Sequence, residues 1–384
     1  MQRIHFMKFF KTVGMLAQIG LLIALVACSP AAAEDGFKSV TGPCELSFPK
    51  DHGPHPEHRT EWWYYTGNLT TDGGHRYGFQ LTFFRSGLKP PAKRKNWPKP
   101  ASAWRSDQIY LAHAAITDIA NGRHLQAERM ARPVLSLAGV EQTPATVRVH
   151  VHGWHTVIAP EGHHLQADAD GFSLRLDLTS VKPPVLHGDN AYSLKGQSPE
   201  RASCYYSFTR LQAAGDLIVA GERHAVQGSA WMDHEFSTAP LQPGISGWDW
   251  FSLQLADQTE IMFFRLRESD GSVNPASSGT LVFPSGEWQH LKKSDVRLTP
   301  LSYWTSPHSG ARYPIAWHLR STALQLDLTL TASVKDQEMR TPRSTQVVYW
   351  EGSLVAAGTH KGEKIDGSGY LELTGYAEPF DAPM

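Results

Sequence analysis

Asp233, His234 and Glu235 stand consecutively, with Trp231 two positions before them and Trp248, Asp249 and Trp250 shortly after. A buried carboxylic acid, or an imidazolium, can donate a proton to a reacting group. Indole faces attract a developing cation most strongly where water is excluded. Together these residue types can supply acid-base chemistry on an apolar molecule, and Asp233, His234 and Glu235 are the candidate catalytic residues. On an extended segment Asp233 and Glu235 face one way and His234 the other, so the three share one pocket only if the backbone bends. The same residues also suit a second role, a hydrogen-bonded seam between two domains, because buried polar groups are normally satisfied in that way.

A second aromatic cluster lies at Glu61, Trp62, Trp63, Tyr64 and Tyr65. It can wall an apolar pocket, or it can plug a barrel, since aromatic rings fill cores readily. Trp62, Trp63, Tyr64, Trp231, Trp248, Asp249, Trp250 and Glu61 are therefore candidate ligand-binding residues. A buried Glu61 requires a partner, for which Arg59 and Arg85 are available. His113, in an apolar stretch, reads as a satisfied core histidine. The 19 histidines include His52, His55 and His58 in one loop, His150 and His152 on one strand face, and the pair His163-His164. Catalytic zinc needs three protein ligands, no third ligand is identifiable, and no metal site is expected. No Gly-x-Ser-x-Gly occurs, so a serine-hydrolase elbow is without support. Asn68-Leu69-Thr70 matches a glycosylation sequon by chance.

The elements that must position these groups are strands. Val147, Val149 and Val151, then Leu174, Leu176 and Leu178, then Leu324, Leu326, Leu328 and Leu330 alternate with polar residues, the period of a half-buried strand. Asn121-Gly122, Asp170-Gly171, Asp270-Gly271 and Asp366-Gly367 read as tight turns. No long amphipathic helix is evident, so an all-β fold is expected. An internal repeat runs from Glu61-Trp62-Trp63-Tyr64-Tyr65 through Phe83-Phe84-Arg85, and again from Gly247-Trp248-Asp249-Trp250-Phe251 through Phe263-Phe264-Arg265. Trp62 matches Trp248, Tyr64 matches Trp250, and each copy carries an Asp-led turn, at Asp72 or Asp257. Copies about 180 residues apart imply a duplicated domain. Closure into barrels would remove sheet edges, and small barrels can hold one apolar ligand. Alternation alone also permits a sandwich.

The N-terminus reads as an export signal, with Arg3, Lys8 and Lys11 before an apolar stretch from Met15 to Ala27. Leu25-Val26-Ala27-Cys28 looks like a lipobox, which makes residues 1–28 a lipoprotein signal and Cys28 the lipidation site. An ordinary signal ending at Ala31-Ala32-Ala33 is the alternative. With the lipobox, Ser29 favours the outer membrane, facing the periplasm. The expected organisation is then a tether at 29–50, a first barrel at 51–240 and a second at 241–384. Cys44 and Cys204 could pair in an oxidising compartment. The net charge of −1 gives no reason to expect nucleic-acid binding. The basic run Lys89 to Lys99 is broken by prolines and reads as a solvated loop that could touch anionic headgroups.

Six motifs in order resemble a known family. They are His58-Arg59-Thr60-Glu61-Trp62-Trp63-Tyr64-Tyr65-Thr66-Gly67, Ala112-His113-Ala114-Ala115-Ile116-Thr117-Asp118, and Ala202-Ser203-Cys204-Tyr205-Tyr206-Ser207. Trp231-Met232-Asp233-His234-Glu235, Gly247-Trp248-Asp249-Trp250-Phe251 and Gly369-Tyr370-Leu371-Glu372-Leu373-Thr374-Gly375-Tyr376 complete the set. From about His52 to about Glu378 the chain resembles AttH-like proteins and carotenoid 1,2-hydratase (hydroxyneurosporene synthase), often described as predicted secreted hydrolases. The resemblance implies two tandem lipocalin-like antiparallel β-barrels, an apolar isoprenoid-like or lipid-like ligand, and cofactor-independent hydration or hydrolysis. It adds Tyr205 and Tyr206 to the candidate ligand-binding residues. It also implies a different role, as a non-enzymatic scaffold for an ABC-type permease, which would have solidly packed barrels. The chain departs from the hydratase branch at Phe236, where that branch has Trp. It departs again at Ile261 to Arg267, which lacks a Tyr-x-Asp pair, and so stands nearer the AttH side.

Overall fold

The computed structural model describes residues 36–238 and 241–380. The signal segment, the Cys28 lipidation site and the chain as far as residue 35 lie outside the described residues. Strands dominate, as the period-two pattern requires, and the helical elements among the described residues are three short 3-10 turns. One of these, Pro91–Asn96, lies within the basic run expected as loop.

Two antiparallel sheets form, a nearly closed barrel followed by a half-barrel. The first runs from Thr60–Thr70 to Glu222–Ser237, and those two strands pair with each other. The second repeats the plan: Ile245–Leu255 opens it and pairs with its last strand, Glu363–Thr374. In both copies an inward acid faces the arginine of Phe-Phe-Arg across the first hairpin, Glu61 opposite Arg85 and Asp249 opposite Arg265. The repeat seen in the sequence is thus a repeated closure of the sheet by its first and last strands.

The alternating residues face inward as expected: Val147, Val149 and Val151, Leu174, Leu176 and Leu178, and Leu326, Leu328 and Leu330 are all buried. With Trp63, Tyr65, Phe79 and Phe83 they fill the first barrel, while Trp317 and Trp350 anchor the core of the second sheet. Near the gap in the first barrel, Arg129 stacks over Trp154 at 4.4 Å and donates to the carbonyls of His152 and Asp168.

Two local expectations change. Asp366-Gly367 is not a turn but lies inside the strand Glu363–Thr374; the turn falls at Lys361-Gly362, both at positive φ. Gly367 is there because a Cβ would come within 2.8 Å of the Gln254 carbonyl on the neighbouring strand. The segment expected as a tether is packed from Phe37 onward: Phe37 and Val40 are buried, and Cys44 forms a disulfide with Cys204.

The sheets meet along their opening and closing strands. Gln254 Nε2 donates to the carbonyls of Thr209 (2.8 Å) and Ala230 (2.9 Å), and Asn68 Nδ2 donates to that of Gly369 (3.1 Å). Glu260 of the second sheet takes both Lys182 (2.6 Å) and Arg210 (2.5 Å) from the first.

Candidate functional site

Register decides which candidates meet. Trp62 lies opposite Glu235, Trp63 opposite His234 and Tyr64 opposite Asp233. Successive side chains on a strand point to opposite faces. Hence Trp62, Tyr64, Asp233 and Glu235 turn toward the second sheet, while Trp63 and His234 turn into the first barrel. From the second sheet, Trp250 sits opposite Glu372, and Glu372 opposite Glu351. Between these walls lies a cavity of about 440 Å3, bounded by Trp62, Tyr64, Trp248, Trp250, Phe84 and Phe264 on its apolar sides. The cavity is between the sheets rather than inside the first barrel.

Asp233 forms one polar wall. Its Oδ1 accepts from Trp231 Nε1 (2.6 Å) and from Ser207 Oγ, and its Oδ2 lies 2.8 Å from Tyr205 Oη. Tyr205 Oη accepts in turn from Trp250 Nε1 of the other sheet, at 3.1 Å. Behind Ser207 stands buried His187, with Nε2 2.6 Å from the serine oxygen. Burial raises the Asp233 carboxyl to about 7, outweighing those three hydrogen bonds, and the nearby Glu235 adds to the rise. When Asp233 is ionised, Tyr205 donates to it; when protonated, Oδ2–H donates to Tyr205, and the tyrosine proton is free to turn into the cavity.

Glu235 is held differently. Lys195 Nζ approaches it at 3.3 Å, Ser203 Oγ donates to it, and the ammonium lies 4.0 Å over the ring of Phe264. Burial lowers the Lys195 pKa and Glu235 counters the fall. Glu235 is a paired anion at the edge of the cavity.

Glu351, Glu372 and Lys195 were not among the expected site residues. Glu372 Oε1 accepts from Trp248 Nε1 and from Thr374 Oγ1, each at 3.0 Å, and burial raises its carboxyl to about 7. Glu351 is raised well above the usual range, by burial first and by Glu372 second. Tyr64 lies against Glu351 across the cavity wall, and the buried hydroxyl of Tyr370 has no hydrogen-bond partner among the described residues. The available signal was alternation within Gly369–Tyr376: Tyr370, Glu372 and Thr374 share one face, and core-filling Leu371 and Leu373 the other.

Other expected residues lie elsewhere. His234, Trp63 and Tyr206 belong to the interior of the first barrel, where His234 Nε2 is 2.9 Å from Glu61 Oε1 and Nδ1 is 3.0 Å from Tyr206 Oη. Burial lowers the His234 pKa. Glu61 also receives Arg85 Nε (2.8 Å) and His55 Nδ1 (2.8 Å), and is held well below its usual pKa because Arg85 overcomes the cost of burial. His55, Glu61 and His234 place three possible metal-ligand atoms within 4.8 Å of one another. Burial disfavours the His55 imidazolium, but Asp51 and Glu61 outweigh it and raise its pKa to about 9.

Asp249 likewise faces away from the cavity, into the half-barrel, where Arg265 (2.6 Å), Arg267 and Tyr376 (2.8 Å) hold it. Trp231 stands behind Asp233. His113 is a satisfied histidine, 2.8 Å from both Tyr349 Oη and Ser344 Oγ, and also borders the cavity.

A family model described as AttH-like matches residues 39–376. A crystal structure of a putative AttH from Nitrosomonas europaea is 34% identical, with a TM-score of 0.78, covering 88% of this chain and 100% of that one. Kievitone hydratase from Nectria haematococca aligns with a TM-score of 0.66 at 15% identity, over 89% of this chain and 96% of its own. CghA aligns with a TM-score of 0.54 at 14% identity, over 91% and 98%. The last two likenesses concern the fold alone. No curated protein sequence matches significantly.

Proposed function

This chain belongs to the AttH-like family, and from that premise we propose that it binds an apolar, isoprenoid-like or lipid-like molecule between its two sheets and hydrates it without a cofactor. The observation that carries this reading is an aromatic-walled cavity closed by a carboxyl, Asp233, whose protonated form is populated near neutral pH. In the reaction, Asp233 gives up its proton to a double bond, directly from Oδ2 or through the Tyr205 hydroxyl. The indoles of Trp248 and Trp250 face the resulting cation. Glu235 stays paired with Lys195 at the edge of the cavity. Kievitone hydratase, a fold neighbour, carries a hydratase name in accord with this reading.

A cavity bordered by Trp248, Trp250 and Asp233 weighs against a solid scaffold for a permease. The test is ligand capture. Solvent extraction of the purified protein should yield an apolar molecule, and added polyenes or long-chain lipids should quench tryptophan emission saturably. An empty extract with no quenching by either class removes the basis of the proposal.

We also propose that the protein sits at the bacterial outer membrane, facing the periplasm and anchored through Cys28. The first described residue, Gly36, lies beside Pro90 at the base of the basic loop, and an anchor upstream of it would bring Lys93 and Lys95 toward headgroups. Radiolabelled palmitate should enter the wild-type protein and not Cys28→Ser; labelling of both would exclude this anchor.

A further inference from the structure

The repeat brings Asp233 and Glu372 to equivalent places. Asp233 lies opposite Tyr64 on the opening strand of its sheet and opposite Ser207 on the strand before its own. Glu372 lies opposite Trp250 on the opening strand of the second sheet and opposite Glu351 on the strand before its own. Tyr64 and Trp250 are matched positions of the repeat. Glu372 is therefore the second copy of Asp233, and Glu351 stands where the first copy has Ser207.

That exchange puts two carboxyls side by side at the cavity. Directly opposite residues of an antiparallel pair have Cβ atoms about 4.5–5.5 Å apart. Neighbouring carboxyls of like charge titrate as a coupled pair, and Glu372 adds to the rise of Glu351. The groups that face them reinforce this. Tyr64 lies against Glu351, Tyr370 is a buried hydroxyl without a partner, Trp248 and Thr374 donate to Glu372, Tyr349 is bound to His113, and Asp233 and Glu235 add negative charge. The Tyr64 hydroxyl lies against Glu351 at the cavity wall, in the space that Glu372 also borders.

We propose that Glu351 and Glu372 form a proton-sharing carboxyl pair that holds the attacking water and accepts its proton, across the cavity from Asp233. This rests on the hydration reading above. The Asp233 proton and the π electrons of the alkene form a C–H bond, and the neighbouring carbon becomes the cation. A lone pair of the water forms the C–O bond, and its proton passes to the ionised member of the pair. The product is the alcohol, Asp233 is left ionised, and the pair is left with two protons. Exchange with solvent restores both.

The test begins without ligand, by infrared titration of the protonated-carboxyl band in wild type, Asp233→Asn, Glu351→Gln and Glu372→Gln. In either glutamine variant the surviving glutamate should titrate in one step, at lower pH than the upper step of the wild-type pair. A surviving glutamate whose titration does not move overturns the pair. With a ligand found by quenching, both glutamine variants should bind it and turn it over about 10²–10⁴-fold more slowly. Unchanged turnover in both overturns the pair's role while leaving the hydration reading intact. Wild type that binds and never hydrates any alkene overturns both.

Discussion

Asp233→Asn protein is expected to bind the apolar ligand as wild type does and to turn it over about 10²–10⁴-fold more slowly, the usual worth of a positioned acid. Asparagine has the shape of a protonated aspartic acid. Its Oδ1 can keep accepting from Trp231 and Ser207, and its Nδ2 can donate to Tyr205, so the wall survives while the transferable proton is lost. The loss should fall on kcat rather than on KM.

The same variant should change how stability depends on pH. The folded pKa of Asp233, about 7, lies above the ordinary aspartate value of 3.8, so between those values the folded protein binds more protons than the unfolded chain. This group's contribution is therefore fully present below pH 3.8 and is lost as pH rises toward 7, by at most about 1.4 kcal/mol per pH unit. Urea unfolding at pH 5 and pH 8 should show a smaller drop for Asp233→Asn than for wild type. Equal drops, with equal turnover, would mean that Asp233 is an ordinary ionised carboxylate.

The second large effect is structural. Glu61→Gln should destabilise the fold by about 3–5 kcal/mol, the usual cost of breaking a buried ion pair from one side. Glu61 is fully buried and receives Arg85, His55, His234 and the backbone N–H of His55. Glutamine leaves the Arg85 guanidinium without its anion and turns an N–H toward at least one of the remaining donors. The His55 pKa of about 9 gives the sign on the alkaline side: its contribution is complete below 6.5 and lost as pH rises through 9. Denaturant unfolding should show that alkaline loss in wild type and a much weaker one in Glu61→Gln. A penalty under about 1 kcal/mol would show that the cluster is not what holds the strand ends together.

Much of the fold was legible because strand alternation and a repeat are local properties of sequence. Leu174, Leu176 and Leu178 pointed inward as written, and the Trp62/Trp248 match marked strands that occupy equivalent places in the two sheets. The candidate site was legible only in part. Alternation correctly separated Asp233 and Glu235 from His234, but it could not say which face of the strand met a second sheet. Trp63, Tyr206 and Asp249 have the same residue types as the residues at the cavity and face the other way. Lys195 and Glu351 carry no local mark, and Glu372 is marked only by its alternation with Leu371 and Leu373. Glu351 and Glu372 become neighbours through the pairing of Val348–His360 with Glu363–Thr374, and Lys195 reaches Glu235 from a separate segment. The Asp366-Gly367 expectation failed for a related reason: a glycine required by a neighbouring strand has the same letter as one required by a turn.

Because the cavity takes one wall from each copy of the repeat, neither copy alone owns a binding site. A single ancestral copy paired with itself about a two-fold axis would present the same acid twice, by symmetry. Fusion into one chain releases that constraint. Ser207 and Glu351 already differ at equivalent positions, so donor and acceptor walls are free to diverge, and a new ligand specificity can arise by changing one half while the other keeps its chemistry.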